Sequence, residues 1–438
     1  MIQKLYSAAT EKNGIKNERL RCLVLVLVAA LMKVRYWLVR RHLVCQAGRR
    51  KLRVIFVIGD ECKWKCQKVY EQMLRSERYD PFVLVTTMDL DWVSMDQQPE
   101  RVRRCRRYLE RKGLRVLCGC EQDDLTPIPI KVFRPDIVVY QQPWGMPDCQ
   151  NPIAASSSAL TFFMPYYIAS VAATWLQHDA PLFRILYGNF LEGPEWVDFY
   201  RKRESKWRVA CKTFVCSCPV REEIAAAGLN VEKENLVIYA PHWSIPVPGV
   251  SKPGGGSSFL QTGRIILEWA QCHREINWVF KPHPMLRVKL ESSGVWGKDE
   301  IDEYWRSWGR IGEICETGDY FKLFYRSKAM ITDCFSFLSE YLIVDRPLIR
   351  LEMNSASTHN TGPLNKKLEG MYRVSALDEL PRVLEDVVAR DVDFLAQKRG
   401  NVISEIGYDR NNASGQMMEI LDSELECGTI HVSHWGKE

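Results

Sequence analysis

The sequence contains no CxxC cysteine pair, although it has fifteen cysteines in 438 residues. An odd number of scattered cysteines, in a chain long enough to bury a full core, does not describe a disulfide framework. The two CxC pairs, Cys118/Cys120 and Cys216/Cys218, are expected to alternate across strand ends. The sequence therefore predicts reduced thiols in a cytosolic compartment and predicts no metal site.

The N-terminus lacks an apolar run long enough for a transmembrane helix. Residues 22–32 (CLVLVLVAALM) are uncharged, but eleven residues are about half of the roughly 20 that cross a bilayer, and no small-residue cleavage site follows. Basic residues flank the run, while the net charge of +6 is too weak to predict nucleic-acid binding. We expect a peripheral, in-plane anchor on the anionic cytoplasmic face of the membrane, removable without unfolding the protein. The alternative is a helix buried on the first domain.

The length of 438 residues favours two α/β domains, since one core rarely serves so long a chain. Continuous apolar runs such as Leu52–Ile58 are typical of parallel strands covered on both faces, and they alternate with amphipathic helices. We predict an N-terminal segment (1–50), a first Rossmann-like domain (51–234), a second Rossmann-like domain (235–425) and a tail (426–438).

Residues 328–351 form the most informative stretch of the sequence. They predict a strand (Ala329–Thr332), a polar corner (333–336), a helix (337–344) and a second strand (347–351). Ser336 is predicted to be the helix N-cap, where exposed N–H groups and the helix dipole bind anions. Glu340 is placed to meet a sugar hydroxyl of a nucleotide. Asp333 either orients His283 or caps the corner.

Two further strand ends carry basic or polar groups. Trp278 to Pro284 (WVFKPHP) ends in Lys281 and His283, and residues 239–245 (YAPHWSI) end in His242. Because carboxyl ends of parallel strands share one edge, these groups predict a single ligand site. His283 would contact phosphate and His242 would act as the base. The alternatives are histidines with structural hydrogen bonds and a lysine that reaches solvent.

Other segments are less specific. Residues 141–147 (QQPWGMP) follow a strand, so Gln141, Gln142 and Trp144 either contact an acceptor or belong to a simple turn. His178 is an alternative base. The glycine-rich stretch 244–258 lacks the strand and helix context of a dinucleotide fingerprint and predicts a flexible loop over the site.

Taken together, the segments YAPHWSI, FKPHPMLR, WGKDEIDEYWRSWGRI, GDYFKLFYRSKAMITDCFSFLSEYL and RPLIRL resemble the CDP-glycerol glycerophosphotransferase family of teichoic-acid and capsule polymerases. The resemblance extends from about residue 52 to 372. It implies the GT-B architecture, in which two Rossmann-like domains face a cleft. It also implies attack of a lipid-linked or glycan acceptor on the β-phosphate of a CDP-polyol, with release of CMP and no cofactor.

The site residues implied by these predictions fall into three groups. They are catalytic His242, His283 and Asp333; donor-binding Lys281, His283, Ser336, Ser339 and Glu340; and acceptor-loop Gln141, Gln142 and Trp144.

The sequence departs from the family pattern at two positions. The acceptor loop contains no histidine, and Phe335 stands where relatives with the same loop have glycine, which narrows the phosphate corner. Two alternatives therefore remain open. One is a GT-B glycosyltransferase that uses a nucleotide sugar, and the other is a catalytically lapsed partner in a capsule-assembly complex.

Overall fold

The structure, a computed structural model, describes residues 1–11, 14–89, 95–142, 144–168, 181–193, 196, 211–247, 256–316, 320–353, 363–407 and 412–426. Two compact units make up the chain. The first comprises Met1–Tyr167, Trp175–Val220 and Asn412–Glu438, and the second comprises Ile168–Thr174 and Arg221–Asn411. Every cysteine among the described residues is a free thiol.

The first unit is built on a seven-stranded parallel sheet with the order β3-β2-β1-β4-β5-β6-β7. Its strands are β1 (Leu52–Ile58), β2 (Tyr79–Val85), β3 (Val116–Cys118), β4 (Ile137–Tyr140), β5 (Leu160–Phe163), β6 (Gly188–Leu191) and β7 (Lys212–Val215). The central strand β1 lies between β2 and β4, with Val54 opposite Pro81 and Ile137. Its near-continuous burial explains why the sequence shows an apolar run there.

The second unit is built on a six-stranded parallel sheet with the order β10-β9-β8-β11-β12-β13. Its strands are β8 (Leu236–Ala240), β9 (Asn277–Phe280), β10 (Gly312–Ile314), β11 (Ala329–Thr332), β12 (Leu348–Leu351) and β13 (Tyr372–Val374). The predicted strand Ala329–Thr332 is confirmed and lies between β8 and β12. On one face, aromatic rings fill the core, with Phe280 stacked on Trp308 at 5.0 Å between centroids.

Helices cover both sheets. In chain order they are α1 (Ile2–Thr10), α2 (Glu18–Gln46), α3 (Gln67–Arg75), α4 (Gln98–Arg111), α5 (Pro152–Ala155), α6 (Pro219–Ala227), α7 (Phe259–Cys272), α8 (Met285–Ser293), α9 (Lys298–Ile311), α10 (Phe321–Arg326), α11 (Phe335–Leu342), α12 (Pro363–Leu368), α13 (Leu380–Val383), α14 (Ala396–Glu405) and α15 (Ala413–Glu424). A π-helical turn, Leu384–Ala389, continues α13.

The N-terminal segment belongs to the first unit rather than to a separate anchor. Helix α2 has 29 residues, begins after Asn17, whose side chain accepts a hydrogen bond from Leu20 N, and is long and apolar enough to cross a membrane by length and composition alone. One side of it packs on the sheet, where the Tyr36 hydroxyl donates to Ile185 O at 2.7 Å and also bonds to Thr161. Since Leu25 and Val28 are buried, removing residues 1–31 would expose core side chains of the first unit, which argues against the expectation that they can be removed without unfolding.

The C-terminal helix α15 returns to the first unit, so the predicted boundaries at 235 and 425 are wrong. Polar contacts hold it there: Tyr79 Oη donates to Asp422 at 2.6 Å, Gln72 Nε2 to Ser414 at 2.8 Å and Lys212 Nζ to Glu424 at 2.6 Å. Apart from Ile168–Thr174, the second unit runs from Arg221, within α6, to Asn411, before α15. The predicted tail lies mostly outside the described residues.

Replacing Tyr36 with phenylalanine tests whether α2 is part of this core. The Tyr36→Phe variant keeps the ring but removes the hydrogen bonds to Ile185 and Thr161, and should lower the free energy of unfolding by about 1–3 kcal/mol. Tyr325→Phe is the matched control, because the Tyr325 hydroxyl bonds to no described residue. Equal denaturation midpoints for the two variants would show that α2 does not depend on these bonds.

Candidate functional site

The candidate site lies at the carboxyl edge of the second sheet, where three adjacent strands end. His283 follows β9, His242 follows β8 and Asp333 follows β11, with β8 between the other two strands. The loops are tied to one another, since His283 N donates to Pro241 O at 3.0 Å. The prediction that the strands before Lys281 and Asp333 share one parallel layer is confirmed.

The two histidines form a pair with defined proton positions. Their ring centroids are 5.2 Å apart. His283 Nδ1 accepts from Met285 N at 3.1 Å, and His242 Nδ1 accepts from Ser244 N at 3.2 Å. A neutral ring whose Nδ1 accepts a hydrogen bond carries its proton on Nε2. Each neutral ring therefore has its N–H donor at Nε2.

Burial keeps both rings neutral. It lowers the pKa of His242 to about 4. For His283, burial lowers the pKa to about 3, with smaller contributions from His242 and Lys281. The pair can thus donate hydrogen bonds without carrying charge at neutral pH. A bound anion would favour the charged rings and raise both pKa values.

Asp333 is the buried hub of the site. Its carboxylate accepts from His242 N at 2.6 Å, Ser257 Oγ at 2.8 Å and Ser258 N at 2.6 Å. Burial raises its pKa to about 6, while these three donors act in the opposite direction. The expectation that Asp333 orients His283 is wrong. It instead fixes the segment after β8 against the start of α7.

Helix α11 begins at Phe335, two residues before the predicted start, so the assignment of Ser336 as its N-cap is wrong. Cys334 occupies the cap position without a side-chain cap bond, and Ser336 Oγ lies 3.3 Å from Cys334 Sγ within the first turn. Phe335, the unusual residue at this corner, has its ring centroid 6.2 Å from that of His242. The first turn of α11 thus borders the histidine pair.

The remaining donor-side candidates lie deeper in the unit. Lys281 Nζ lies over the Tyr320 ring at 4.8 Å from its centroid, and the Tyr320 hydroxyl donates to Glu340 at 3.0 Å. Ser339 is fully buried and its hydroxyl accepts from Lys367 Nζ at 3.2 Å. The Glu340 carboxylate and the Lys281 side chain are both buried rather than exposed on the surface, and their roles toward a nucleotide stay predictions.

The predicted acceptor loop lies in the first unit. Gln141 Nε2 donates to Cys66 Sγ at 3.0 Å, and Gln142 Nε2 donates to Trp144 O at 3.0 Å. The amide oxygens of both glutamines and Trp144 Nε1 are buried without a hydrogen-bond partner among the described residues. The loop is therefore an organised structure with unused polar groups, not a simple solvent-exposed turn.

Ser257, Ser258 and Tyr320 were not expected from the sequence. The two serines end a glycine-rich stretch that predicted flexibility, yet both are fully buried by their bonds to Asp333. In the sequence, the one indication that these serines are ordered is the apolar helix that begins immediately after them, at Phe259. Residues 248–255, within the predicted flexible loop, and His178, the alternative base, lie outside the described residues.

The fold is similar to those of known nucleotide-sugar enzymes. UDP-GlcNAc 2-epimerase from Neisseria meningitidis matches at a TM-score of 0.53 and 13% identity over 84% of this chain and 99% of that chain. The MnaA–UDP structure from S. aureus matches at a TM-score of 0.52 and 10% identity, over 85% of this chain and 97% of that chain. The wall teichoic acid polymerase TagF covers 94% of this chain and 98% of its own at 11% identity, but its TM-score of 0.49 is too weak to support an inference. No protein-family model and no curated protein matches the chain.

These similarities establish an α/β fold of the GT-B type, with two parallel sheets of seven and six strands. At this level of identity they concern the fold alone. The CDP-glycerol family resemblance therefore continues as a proposal.

The histidine proton positions can be measured directly. In the ligand-free protein, side-chain nitrogen shifts should show Nε2–H for His242 and His283, with titration near pH 4 and 3 rather than 6.5. His273 is the internal contrast, since its Nδ1 faces Trp269 O at 2.8 Å and must carry the proton. Midpoints near 6.5 for the pair would contradict their burial.

The lowered pKa values of His242 and His283 also set the sign of the pH effect on the stability of the folded protein. As the pH falls from 6.5 toward the folded-state values, the unfolded histidines bind protons first, so both rings favour unfolding. Asp333 has the opposite effect between about pH 6 and pH 3.8. Its pKa is raised in the folded protein, so the folded state binds the proton first and is favoured as the pH falls.

Proposed function

We propose that this protein is a transferase that moves a polyol phosphate, most specifically glycerol phosphate from CDP-glycerol, onto a hydroxyl of a glycan or lipid-linked precursor and releases CMP. The observation that carries the diphosphate part of this proposal is the pair of Nε2–H donors at adjacent strand ends. The cytidine and glycerol parts depend on the sequence resemblance.

The donor site would work by stabilising phosphate charge. The acceptor oxygen forms a bond to the β-phosphorus, the bond to the bridging oxygen breaks, and CMP leaves with that electron pair. The Nε2–H groups of His242 and His283, with the positive end of the α11 helix dipole, are suited to the negative charge that develops on the phosphates. Asp333 would keep the His242 segment in place through its backbone hydrogen bond.

His242 is poorly suited to be the general base that the sequence suggested. Its Nδ1 is occupied by Ser244, and its Nε2 carries the proton in the neutral ring. The proposal therefore assigns both histidines to diphosphate binding. The proton of the acceptor hydroxyl must go to another group.

The test is nucleotide release from labelled CDP-glycerol with a membrane fraction as the acceptor source. The wild-type protein should release CMP, and His283→Ala should lower turnover about 10²–10³-fold because one donor to the leaving diphosphate is lost. His273→Ala, a histidine bonded to Trp269 at the end of α7, is the control and should keep its activity.

Three outcomes would count against this function. Release of UDP from nucleotide sugars, with no use of CDP-polyols, would favour a GT-B glycosyltransferase. Tight CDP binding without any turnover would indicate a lapsed assembly partner. Normal turnover in His283→Ala, with only a lower melting temperature, would make the histidine structural.

We also propose that the outward side of α2 lies on an anionic membrane surface at the cytoplasmic face. This outer face of α2 consists of exposed apolar residues, namely Leu20, Leu23, Val26, Leu27, Val34, Trp37 and Leu38. Basic side chains border it, including exposed Arg19, Lys33 and Arg41, and charge complementarity therefore favours anionic lipid. Because the opposite side of α2 is bound to the sheet, the helix would lie along the surface rather than cross the bilayer.

Vesicle co-sedimentation tests the membrane proposal. The protein should bind a phosphatidylcholine–phosphatidylglycerol mixture more strongly than phosphatidylcholine alone, and raised salt should weaken the binding. Leu23→Ser/Leu27→Ser should reduce binding, whereas Leu74→Ser, an exposed leucine on α3, should not. Equal binding by all three proteins would exclude the outer face of α2 as the contact.

A further inference from the structure

Trp243 is an exposed aromatic residue at the edge of the candidate donor site. It follows His242 in the segment after β8, and 37% of its surface is exposed. Its ring centroid is 5.6 Å from that of His242 and 6.1 Å from that of His283, and the two imidazole centroids are 5.2 Å apart. The three rings therefore form one compact group, and all of it belongs to the second unit.

Hydrogen bonds fix the backbone on both sides of Trp243. His242 N donates to Asp333 Oδ1 at 2.6 Å, and Ser244 N donates to His242 Nδ1 at 3.2 Å. Ile245 N donates to Trp243 O at 2.8 Å, and the Ile245 side chain is buried. The indole is therefore exposed because a bonded turn holds it there, and not because it lies in a loose loop.

The indole of Trp243 offers an apolar face and a polar rim. Among the described residues its Nε1–H donates no hydrogen bond. A single exposed aromatic residue is common on a protein surface, but this one packs against the two rings whose Nε2–H groups are proposed to bind the diphosphate. An aromatic face with an N–H at its rim suits a polyol, since C–H groups can pack on the ring while a hydroxyl accepts from the N–H.

The position of Trp243 selects the part of the donor that it can meet. In a nucleotide-activated polyol, the polyol is joined directly to the β-phosphate, whereas the base is separated from the α-phosphate by the whole ribose. A ring that packs against both imidazoles is therefore adjacent to the groups attached directly to the diphosphate, which are the ribose and the polyol. The histidine pair is proposed to stabilise the charge on the phosphate that is transferred, so the polyol on that phosphate is the nearer of the two.

We propose that Trp243 is a specificity-determining residue for the donor and that its indole packs on the polyol attached to the β-phosphate. This inference rests on the proposed function. The C–H groups of the polyol lie on the ring, and Trp243 Nε1 donates to one of its hydroxyls. Trp243 takes no part in making or breaking bonds, so it favours a polyol-bearing donor through binding alone.

Calorimetric titration of the full chain tests this role without requiring turnover. The two ligands are CDP-glycerol and the β-methyl ester of CDP, which carries the same charge but lacks the hydroxyl-bearing chain. Trp243→Ala should weaken the binding of CDP-glycerol about tenfold and that of the methyl ester no more than about twofold. Trp243→Phe keeps an aromatic face but loses the N–H donor, so its affinity for CDP-glycerol should lie between those of the wild type and Trp243→Ala.

Phe394→Ala is the matched control. Phe394 is an exposed aromatic residue of the same unit, and its neighbour Leu395 donates through its backbone N to Tyr372 at the start of β13, the opposite edge of the sheet. The control should bind both ligands as the wild type does.

Tryptophan emission gives a second readout. In the wild type, CDP-glycerol should shift the emission to shorter wavelength, because the exposed indole of Trp243 loses contact with water. Trp243→Phe should lack this shift. A tryptophan that only packs on the histidines would lower the melting temperature of Trp243→Ala, but its loss would weaken both ligands equally.

The outcomes separate this inference from the proposed function. Equal losses for both ligands in Trp243→Ala, or wild-type affinity for CDP-glycerol in that variant, overturn the role of Trp243 and leave the transferase proposal standing. Should Trp243→Ala fail to fold, Trp243→Phe with wild-type affinity and an undiminished emission shift overturns it as well. A selective loss in a protein that binds CDP-glycerol but releases no CMP supports Trp243 and counts against the transferase. A wild type that binds neither ligand overturns both.

Discussion

The buried carboxylate of Asp333 is the constraint on which the candidate donor site depends. Two oxygens accept three donors, one from the end of β8 and two from the residues that precede α7. Removing the charge from water is unfavourable, so the carboxylate is stable there only while those segments stay in place. The position of the His242 segment is therefore set by one charge, and the Ser244 contact then sets the proton on the ring.

Parts of the fold were predictable because they depend on local patterns. Continuous apolar runs give doubly covered strands, so β1 and β11 were expected at the positions where they occur. The return of α15 to the first unit was not predictable. It depends on polar contacts such as Tyr79 with Asp422, which join positions hundreds of residues apart and leave no periodic signal in the sequence.

For the candidate site, the sequence predicted the strand ends but not the contacts. Polar residues directly after apolar runs identify His242, His283 and Asp333, because parallel strands end at a common edge. Which ring nitrogen carries the proton depends on a backbone N–H two residues further on, and such a bond cannot be read from residue type.

Helix α2 shows how one apolar segment can serve two environments. In an eleven-residue run every helical face is apolar, so the sequence contains no polar stripe to separate a protein-facing side from an outer side. The structure separates them: Val28 and Met32 are buried, while Leu23 and Leu27 are exposed. A helix in water needs only one apolar side, and the second is unfavourable unless something apolar covers it. The bonds of Tyr36 keep the buried side within the protein, so whatever covers the outer face must approach from outside.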